Sequence, residues 1–415
     1  MKMIKMSLTG NEAAAWAAKC AGVKVCASFP MGPNQEVMET FQQFIDQGEA
    51  PGSRVIVPDN EKAASSMQIG LSRTGVRSIF CVTSEGILWA MSEIHYAASS
   101  RLPMMIVCPS RALEPPTTVY CDHDDFLSLR DMGWLMFYCE NSQDIFDTIL
   151  QAYKVSENER VMLPVIVGYD GWETSHAASR VDMPEQVEID RFLPPPGFIK
   201  PERDYLSVDW KDRCSYRRYQ EGFGGMEFME IRYLQKKAEE EAEELIESTG
   251  LDYRDLSDSR HVGMIESYDC RDAEVIIITM GIVYPAVKLI VKSLRQKGVK
   301  IGCLKVRTFR PFPSRRIAEE VKGAKLVITL DRNSIAALFH EVGSALYRYS
   351  DSAVARPMHL GKVIGVGGMP ITFDLIGGIV EQGFETLKQG RVEKDLEWLP
   401  IKGTSYDPTL HVLAE

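Results

Sequence analysis

Four apolar, strand-like segments in the first half of the chain end in residues that could do chemistry. The acid Glu61 stands at the start of a small-residue, helix-like segment, and Ser84 with Glu85 opens another. Arg111 follows a third apolar run, and Pro30-Met31-Gly32-Pro33 places a glycine between two prolines after a fourth. Parallel α/β sheets bind ligands in the loops at the carboxyl ends of their strands. The pattern therefore predicts a ligand site at these strand ends, bordered by a carboxyl and a guanidinium.

Plainer explanations exist for the same residues. A carboxylate and a guanidinium at adjacent strand ends could form an ordinary ion pair, and composition alone favours that alternative for Glu61 and Arg111. Asp122-His123-Asp124-Asp125 contains metal-ligand types, but four consecutive side chains cannot easily converge on one ion, so a turn or a helix cap is favoured. The glycines of 365–368 are a weak signal that could mark a plain turn, since neither GxGxxG nor a P-loop sequence occurs.

Charge and cysteine content limit the classes of function. The chain has 415 residues and a formal net charge of −11, which disfavours a nucleic-acid partner held by phosphate neutralisation. No apolar run reaches the roughly 18 residues of a membrane span, and the first residues lack a continuous apolar core, so we expect a cytoplasmic protein. No two of the nine cysteines are separated by only two residues, which favours buried, reduced thiols over a disulfide framework, a metal site or an iron–sulfur cluster.

Short apolar runs alternate with longer helix-like segments. The runs of the first half are continuously apolar rather than alternating, which is typical of parallel strands covered by helices on both faces. In the second half, strand-like runs again precede helix-like segments, which predicts a second α/β unit. The strands expected in the first half are 23–30, 54–61, 78–84, 104–110 and 161–171.

A change of composition separates the two units. The connecting segment is proline-rich and predicted to be extended at 190–201, and at 227–249 it is predicted to be a charged helix with a solvated face that bridges two domains. After residue 390 a tail either docks on a neighbour or stays loose. The boundaries expected are 1–185 for the first domain, 186–258 for the linker, 259–390 for the second domain and 391–415 for the tail.

The order of segments resembles the α subunit of the 2-oxoacid:acceptor oxidoreductases, the thiamine-diphosphate enzymes that include pyruvate:ferredoxin oxidoreductase. The resemblance runs in register from about residue 8 to about residue 390. The stretches that carry it are GNEAAAWAAK, FPMGPNQE, NEKAASSMQIGLSRTGVRS, TSEG, RLPMMIVCPSRAL, the DHDD and RDMGW segments, LPVIVGYDG, KVRTFRPFP, LDRN and GVGG.

The resemblance implies an α/β fold in which a transketolase-like pyrimidine-binding domain precedes a domain like the C-terminal domain of transketolase. It implies a complex that oxidatively decarboxylates a 2-oxoacid to an acyl-CoA and CO₂. A β-type subunit would complete the thiamine diphosphate site and hold Mg²⁺, since this chain lacks the Gly-Asp-Gly signature. Gamma- or delta-type and cluster-carrying subunits would pass electrons to ferredoxin or another acceptor such as NAD. The chain alone would then be inactive.

Individual residues match the family's site positions. Glu61 matches the acid that contacts the aminopyrimidine ring of the coenzyme, where a carboxyl hydrogen-bonded to N1′ promotes the imino tautomer. Arg111 matches the arginine that holds the substrate carboxylate, with a structural salt bridge as the alternative. The resemblance also places Pro30, Ser84 and Glu85 beside the coenzyme. Glu85 is a departure, because relatives usually read Ser-Gln there.

The loop 30–33 departs from the family pattern as well. Many relatives have Pro-x-Thr-Pro, where the threonine hydroxyl helps to hold the carboxyl end of the substrate. This chain has Gly32 and so lacks that donor and gains space beside the reacting carbonyl, where Gly32 and Met31 would bind the substrate. We hypothesise that a bulky apolar substituent fills the space, as in an aryl 2-oxoacid such as phenylglyoxylate. The alternative is that glycine only permits a turn. Other possibilities are a small 2-oxoacid, such as pyruvate, 2-oxobutyrate or oxalate, and a non-catalytic scaffold subunit.

Overall fold

The structure is a computed structural model that describes residues 3–194, 225–349 and 356–399. Cys214, the proline-rich segment from 195 onward and the predicted tail from 400 onward lie outside the described residues. Within these ranges helices and strands alternate and form an α/β fold with two parallel-rich sheets, as the sequence predicts.

Fifteen strands and thirteen α-helices lie within the described residues. The strands are β1 (Met3–Leu8), β2 (Val25–Ala27), β3 (Arg54–Ile56), β4 (Ser78–Cys81), β5 (Met105–Ser110), β6 (Leu135–Cys139), β7 (Val165–Asp170), β8 (Ser179–Pro184), β9 (Ile265–Tyr268), β10 (Val275–Thr279), β11 (Ile301–Val306), β12 (Thr308–Arg310), β13 (Leu326–Asp331), β14 (Met358–Val363) and β15 (Leu396–Trp398). The helices are α1 (Gly10–Cys20), α2 (Gln35–Asp46), α3 (Glu61–Arg73), α4 (Glu85–Trp89), α5 (Met91–Ser99), α6 (Asp124–Leu127), α7 (Ser142–Ser156), α8 (Gln186–Phe192), α9 (Gly225–Ser257), α10 (Val283–Gln296), α11 (Ser314–Glu320), α12 (Ala337–Tyr349) and α13 (Phe373–Gln389).

The first sheet carries the residues singled out above. Its strand order is β12–β6–β7–β5–β4–β2–β3, and β2 to β7 pair in parallel whereas β12 runs antiparallel to β6. Because parallel strands are joined by crossovers, the loops that follow β2, β3, β4, β5 and β7 meet along one edge. We call this the site edge.

The second sheet has the order β15–β14–β13–β10–β11–β9 and is parallel except for β9. Strand β15 lies in the segment predicted to be a docking or loose tail, and that prediction is wrong for 396–398. The strand pairs with β14 of its own chain, where Gly361 leaves room for the neighbouring side chain. A Cβ at Gly361 would lie 2.7 Å from Leu396 Cδ1.

One buried apolar cluster crosses between the two sheets. It contains Trp134 and Met136 from the first unit together with Ile276 and Leu304 from the second. Strand β12 pairs with β6 at the edge of the first sheet, although it directly follows β11 of the second sheet in the chain. The two units therefore share a core and a sheet edge, so that a rigid seam lies between them.

The segment between the two units is mostly helical where the structure describes it. Helix α9 is longer than the predicted 227–249, and it buries apolar residues such as Ile231 and Ala238 while its charged residues face outward. Helix α8 occupies 186–192, so the extended conformation predicted from 190 is wrong for its first residues. None of the helices in the described part of the chain combines the length and apolar character needed to cross a lipid bilayer.

Eight of the nine cysteines lie within the described residues, and each is a free thiol there. All except Cys20 are buried. The prediction of buried, reduced thiols is confirmed for these seven residues.

Candidate active site

Glu61 is the first residue of α3 and lies at the site edge, directly after β3. The side chain of the preceding residue, Asn60, caps the helix by accepting a hydrogen bond from the backbone N–H of Ala63 at 2.9 Å. Glu61 is 6% exposed, yet its carboxylate has no hydrogen-bond or ion-pair partner among the described residues. The Glu61 oxygens are not among the fully buried unpartnered polar atoms, so the carboxylate reaches the surface of the site edge and is free to contact a group from outside the described chain.

Gly86 makes room for the Glu61 side chain. A Cβ at Gly86 would lie 2.8 Å from Glu61 Cγ and 2.9 Å from Glu61 Oε1, closer than side-chain atoms normally approach. Ser84, two residues earlier, has a positive φ of 52° and its hydroxyl donates to the carbonyl oxygen of Ala112 at 2.7 Å. Ser84 is fully buried, and its hydroxyl and its backbone N–H, which donates to Asp125 Oδ2 at 2.9 Å, are both committed to the turn.

Arg111 does not pair with Glu61. Its Nη2 lies 2.7 Å from Glu114 Oε1 and 3.5 Å from Glu85 Oε2, and Nη1 donates to the Gly32 carbonyl oxygen at 3.1 Å. The ion-pair alternative for Glu61 and Arg111 is therefore wrong, because each guanidinium contact goes elsewhere. Arg111 Nε is buried and has no acceptor among the described residues, which leaves one N–H of the fork for a ligand.

Glu85 and Glu114 fix the loop that carries Arg111. The backbone N–H of Glu114 donates to Glu85 Oε1. Partial burial acts to raise the pKa of Glu85, but the pKa lies below its usual value because this N–H and the Arg111 guanidinium favour the ionised form. The acid found where relatives usually have Gln thus holds the loop in place.

The loop 30–33 does not need glycine for its backbone conformation. Gly32 is not among the glycines with positive φ, and the Gly32–Pro33 peptide bond is cis. A Cβ at Gly32 would meet only the indole of Trp172, at 3.7 Å from Cζ2 and 4.0 Å from Cη2. Met31 is half-buried beside it, and its backbone carbonyl oxygen accepts a hydrogen bond from the Asn34 backbone N–H at 2.9 Å. A side chain would fit at position 32, so the turn alternative does not explain the glycine.

Asp125 joins three of these loops and was not recognised as part of the site from the sequence. It is fully buried, and its Oδ2 accepts hydrogen bonds from Thr83 Oγ1 at 3.0 Å, Ser84 N at 2.9 Å and Arg111 N at 2.9 Å. Burial raises the pKa of Asp125, and these hydrogen bonds act against that increase. One carboxylate therefore positions both the Ser84 turn and the backbone of Arg111.

We expect Asp125→Asn to lower the free energy of unfolding by about 1–3 kcal/mol, since the amide has only one acceptor oxygen. Its NH₂ group would face either the three donors to Oδ2 or the Phe126 backbone N–H, which donates to Oδ1 at 2.6 Å. Chemical denaturation of the purified chain measures this difference. Asp131→Asn is the control, because that side chain is 71% exposed. Equal stability of wild type and Asp125→Asn would contradict the assignment.

The other members of the 122–125 segment join the first unit to the second. Asp122 Oδ2 accepts from the Gly367 backbone N–H at 3.1 Å, and Asp124 Oδ1 accepts from the Ser334 backbone N–H at 2.9 Å. His123 Nε2 lies 3.1 Å from Asp170 Oδ1. The four side chains have separate partners. Asp122 Oδ1 also accepts from the Asp124 backbone N–H at 3.0 Å, as in a turn, whereas His123, the cap residue of α6, makes no side-chain capping bond. The GVGG segment 365–368 receives one of these contacts.

A buried ion pair completes the seam between the units. Arg332 Nη1 donates to Asp170 Oδ1 at 2.7 Å, and both side chains are almost completely buried. Burial acts to raise the pKa of Asp170, but the pKa lies well below its usual value because His123 and Arg332 surround the carboxylate. Sequence reasoning missed this pair, whose members lie 162 positions apart.

Exposed apolar side chains surround the site edge. Each follows the carboxyl end of a first-sheet strand: the loop after β3, helix α4, the loop after β5 and the turn after β7. An exposed apolar patch of this kind marks a surface that another molecule covers. We call it the apolar rim; it consists of Val57, Leu88, Trp89, Val119, Tyr120 and Trp172.

Comparison with known proteins identifies the family. Residues 16–250 match the thiamine-diphosphate-binding domain of pyruvate flavodoxin/ferredoxin oxidoreductase, and residues 273–376 match core domain II of pyruvate:ferredoxin oxidoreductase. The chain belongs to the 2-oxoacid:ferredoxin oxidoreductase family, as an α subunit. The resemblance stated from the sequence is confirmed.

Two relatives illustrate the match. The chain is 33% identical to pyruvate synthase subunit PorA of Pyrococcus furiosus, over 96% of this chain and 98% of that protein. It is 34% identical to ketoisovalerate oxidoreductase subunit VorA of Pyrococcus horikoshii, again over 96% and 98%. These oxidoreductase subunits act on different 2-oxoacids, so membership of the family does not identify the substrate of this chain.

Solved structures confirm the fold. A 2-oxoglutarate:ferredoxin oxidoreductase from Magnetococcus marinus has a TM-score of 0.71 at 16% identity, and the match covers 92% of this chain. This chain spans 65% of the length of that one. A split-gene transketolase, an inactive β4 tetramer, has a TM-score of 0.54 at 13% identity and is covered over 99% of its length. The predicted transketolase-like α/β architecture is confirmed.

Proposed function

We propose that this chain is the subunit that activates thiamine diphosphate and orients the substrate in a complex that oxidatively decarboxylates a 2-oxoacid to an acyl-CoA and CO₂. The observation that carries the proposal is the Glu61 side chain, which is 6% exposed and whose carboxylate reaches the surface of the site edge without a partner in the described chain. A coenzyme with a basic ring nitrogen provides the missing partner.

The residues at the site edge fit the pyrimidine half of thiamine diphosphate. Glu61 would share a proton with ring nitrogen N1′, with Gly86 holding the carboxyl in position. Pro30 is exposed at the end of the β2 loop and Glu85 is half-buried, so both can border the ring, whereas the buried Ser84 would act on the coenzyme site by fixing the turn that carries Glu85. When bound, the coenzyme supplies the carbon at which a 2-oxoacid loses its carboxylate.

Arg111 would receive the carboxylate of the substrate. Its unpartnered Nε and its Nη groups form a planar fork that matches two oxygens. Because Glu114 already lies 2.7 Å from Nη2, the substrate carboxylate must compete with this acid for part of the fork. The bond from Nη1 to the Gly32 carbonyl oxygen keeps the guanidinium beside the loop 30–33.

Partner subunits would complete the site. A β-type subunit would cover the apolar rim other than Trp172 and hold Mg²⁺ and the diphosphate. γ/δ-type or cluster-carrying subunits would take the electrons through iron–sulfur clusters to ferredoxin or another acceptor. The apolar rim supports a protein partner, since burying exposed apolar side chains stabilises association. CoA would enter as the acyl acceptor of the complete complex.

For the substrate we propose an aryl 2-oxoacid, with phenylglyoxylate as the representative compound, rather than pyruvate or another small 2-oxoacid. Two observations support this choice. Position 32 has room for a side chain that the glycine leaves unfilled, and the boundary of that space is the aromatic ring of Trp172.

We expect the intact complex, purified with its partner subunits, to oxidise phenylglyoxylate with a higher kcat/KM than pyruvate. The measurement is the rate at which a panel of 2-oxoacids reduces the clusters or an added acceptor in the presence of CoA. Preferred oxidation of pyruvate would leave the catalytic role intact and reject the aryl substrate. Oxidation of no 2-oxoacid would reject the proposed function.

A further inference from the structure

Trp172 lies at the surface, where 37% of the residue is exposed, so core packing does not explain its position. It follows β7 at the site edge and adopts a positive φ of 62°. A bulky residue in the left-handed region is strained, and such strain persists only where the surroundings enforce it. The position of the indole therefore invites a functional explanation.

Three contacts hold the indole in one orientation. Its Nε1 donates to the Val119 carbonyl oxygen at 2.5 Å, and the Trp172 backbone N–H donates to Ser175 Oγ at 2.7 Å. The ring stacks on the imidazole of His176, with centroids 4.4 Å apart and an interplanar angle of 24°. The indole nitrogen is hydrogen-bonded to Val119 and one face of the ring is covered by His176. The benzene edge, Cζ2–Cη2, is the part of the ring that faces Gly32.

Gly32 keeps this edge uncovered. Apart from its two chain neighbours, the described atoms that a Cβ at position 32 would approach within 4 Å are Cζ2 and Cη2 of Trp172. The carbonyl oxygen of the same glycine accepts from Arg111 Nη1 at 3.1 Å. Arg111 and the indole of Trp172 therefore both lie beside Gly32. A 2-oxoacid carries its carboxylate and its substituent on the same carbonyl carbon, so the carboxylate could bind Arg111 while the substituent contacts Trp172.

We infer that Trp172 is a specificity-determining residue that forms the wall for the substituent of an aryl 2-oxoacid, and that Gly32 acts by leaving the Cζ2–Cη2 edge of the indole open to it. This inference rests on the proposed function. An aryl ring gains both burial and an edge-to-face contact with the indole, while the methyl group of pyruvate is too small to gain either.

The test is a double-mutant cycle in the purified complex, with Trp172→Leu, Gly32→Ala and both together. Each single variant is expected to lower kcat/KM for phenylglyoxylate by about 3- to 10-fold, mainly through KM, with little change for pyruvate. The double variant is expected to lose no more than the stronger single variant, because Gly32 and Trp172 act through the same contact. Trp398→Leu is the control, since that tryptophan is 56% exposed on β15, away from the site edge.

Three results would overturn the inference. They are equal losses for phenylglyoxylate and pyruvate, additive losses in the double variant, and failure of Trp172→Leu to copurify with its partner subunits, which would make Trp172 a docking residue. In each case the wild-type complex would still oxidise 2-oxoacids. A wild-type complex that oxidises none of them would reject the proposed function instead.

Discussion

Glu61→Gln is expected to reduce turnover of the complete complex by about 10²–10⁴-fold, the usual cost of removing a general acid–base contact. Glutamine keeps the size and the hydrogen-bonding shape of the side chain but cannot share a proton with a ring nitrogen. Because the substitution acts on proton transfer, kcat should fall more than KM changes. Initial rates of acceptor reduction with a saturating 2-oxoacid measure the effect.

The same variant should not be less stable than wild type. The Glu61 carboxylate has no partner among the described residues, so the amide breaks no hydrogen bond or ion pair that stabilises the fold. The thermal midpoint of the isolated chain is therefore expected to stay equal or to rise. Glu319→Gln makes the same chemical change on the exposed surface of α11 and serves as control. Unchanged turnover of Glu61→Gln would mean that the subunit is a non-catalytic scaffold.

Arg111→Met is expected to lower kcat/KM by about 10- to 100-fold for every 2-oxoacid, since a hydrogen bond to a charged group contributes roughly 1.5–3 kcal/mol. The loss should be the same for pyruvate and phenylglyoxylate, because both present a carboxylate to the guanidinium. Arg111→Lys keeps the charge without the planar fork, so its kcat/KM should lie between the values of wild type and Arg111→Met. Steady-state kinetics of the complex with both substrates measure these ratios.

This equal loss separates the role of Arg111 from that of Trp172, whose variant should discriminate between the two substrates. Arg315→Met, on the exposed surface of α11, controls for the loss of a positive charge. If Arg111→Met left kcat/KM unchanged but lowered the thermal midpoint, the guanidinium would serve only as the salt-bridge partner of Glu85 and Glu114.

The sequence alone placed Glu61 and Arg111 at one edge of a parallel sheet. Continuous apolar runs identified the strands, and parallel pairing brings the carboxyl ends of such strands together whatever the details of the loops. Cysteine spacing likewise predicted buried thiols correctly, since burial follows from the apolar runs that contain them. Local patterns also predicted helix α9, because its composition strongly favours a helix.

Only the tertiary structure decided which of these residues are partners. Arg111 is bound by Glu85 and Glu114 rather than by Glu61, and the seam depends on Asp170 and Arg332, which are far apart in the chain. Trp172 lies beside Gly32 because of a turn with a positive φ, which no periodic pattern in the sequence reveals. The physical reason is that hydrophobic periodicity reports the burial of each segment, whereas the pairing of polar side chains depends on long-range geometry that exists only after the sheets have packed.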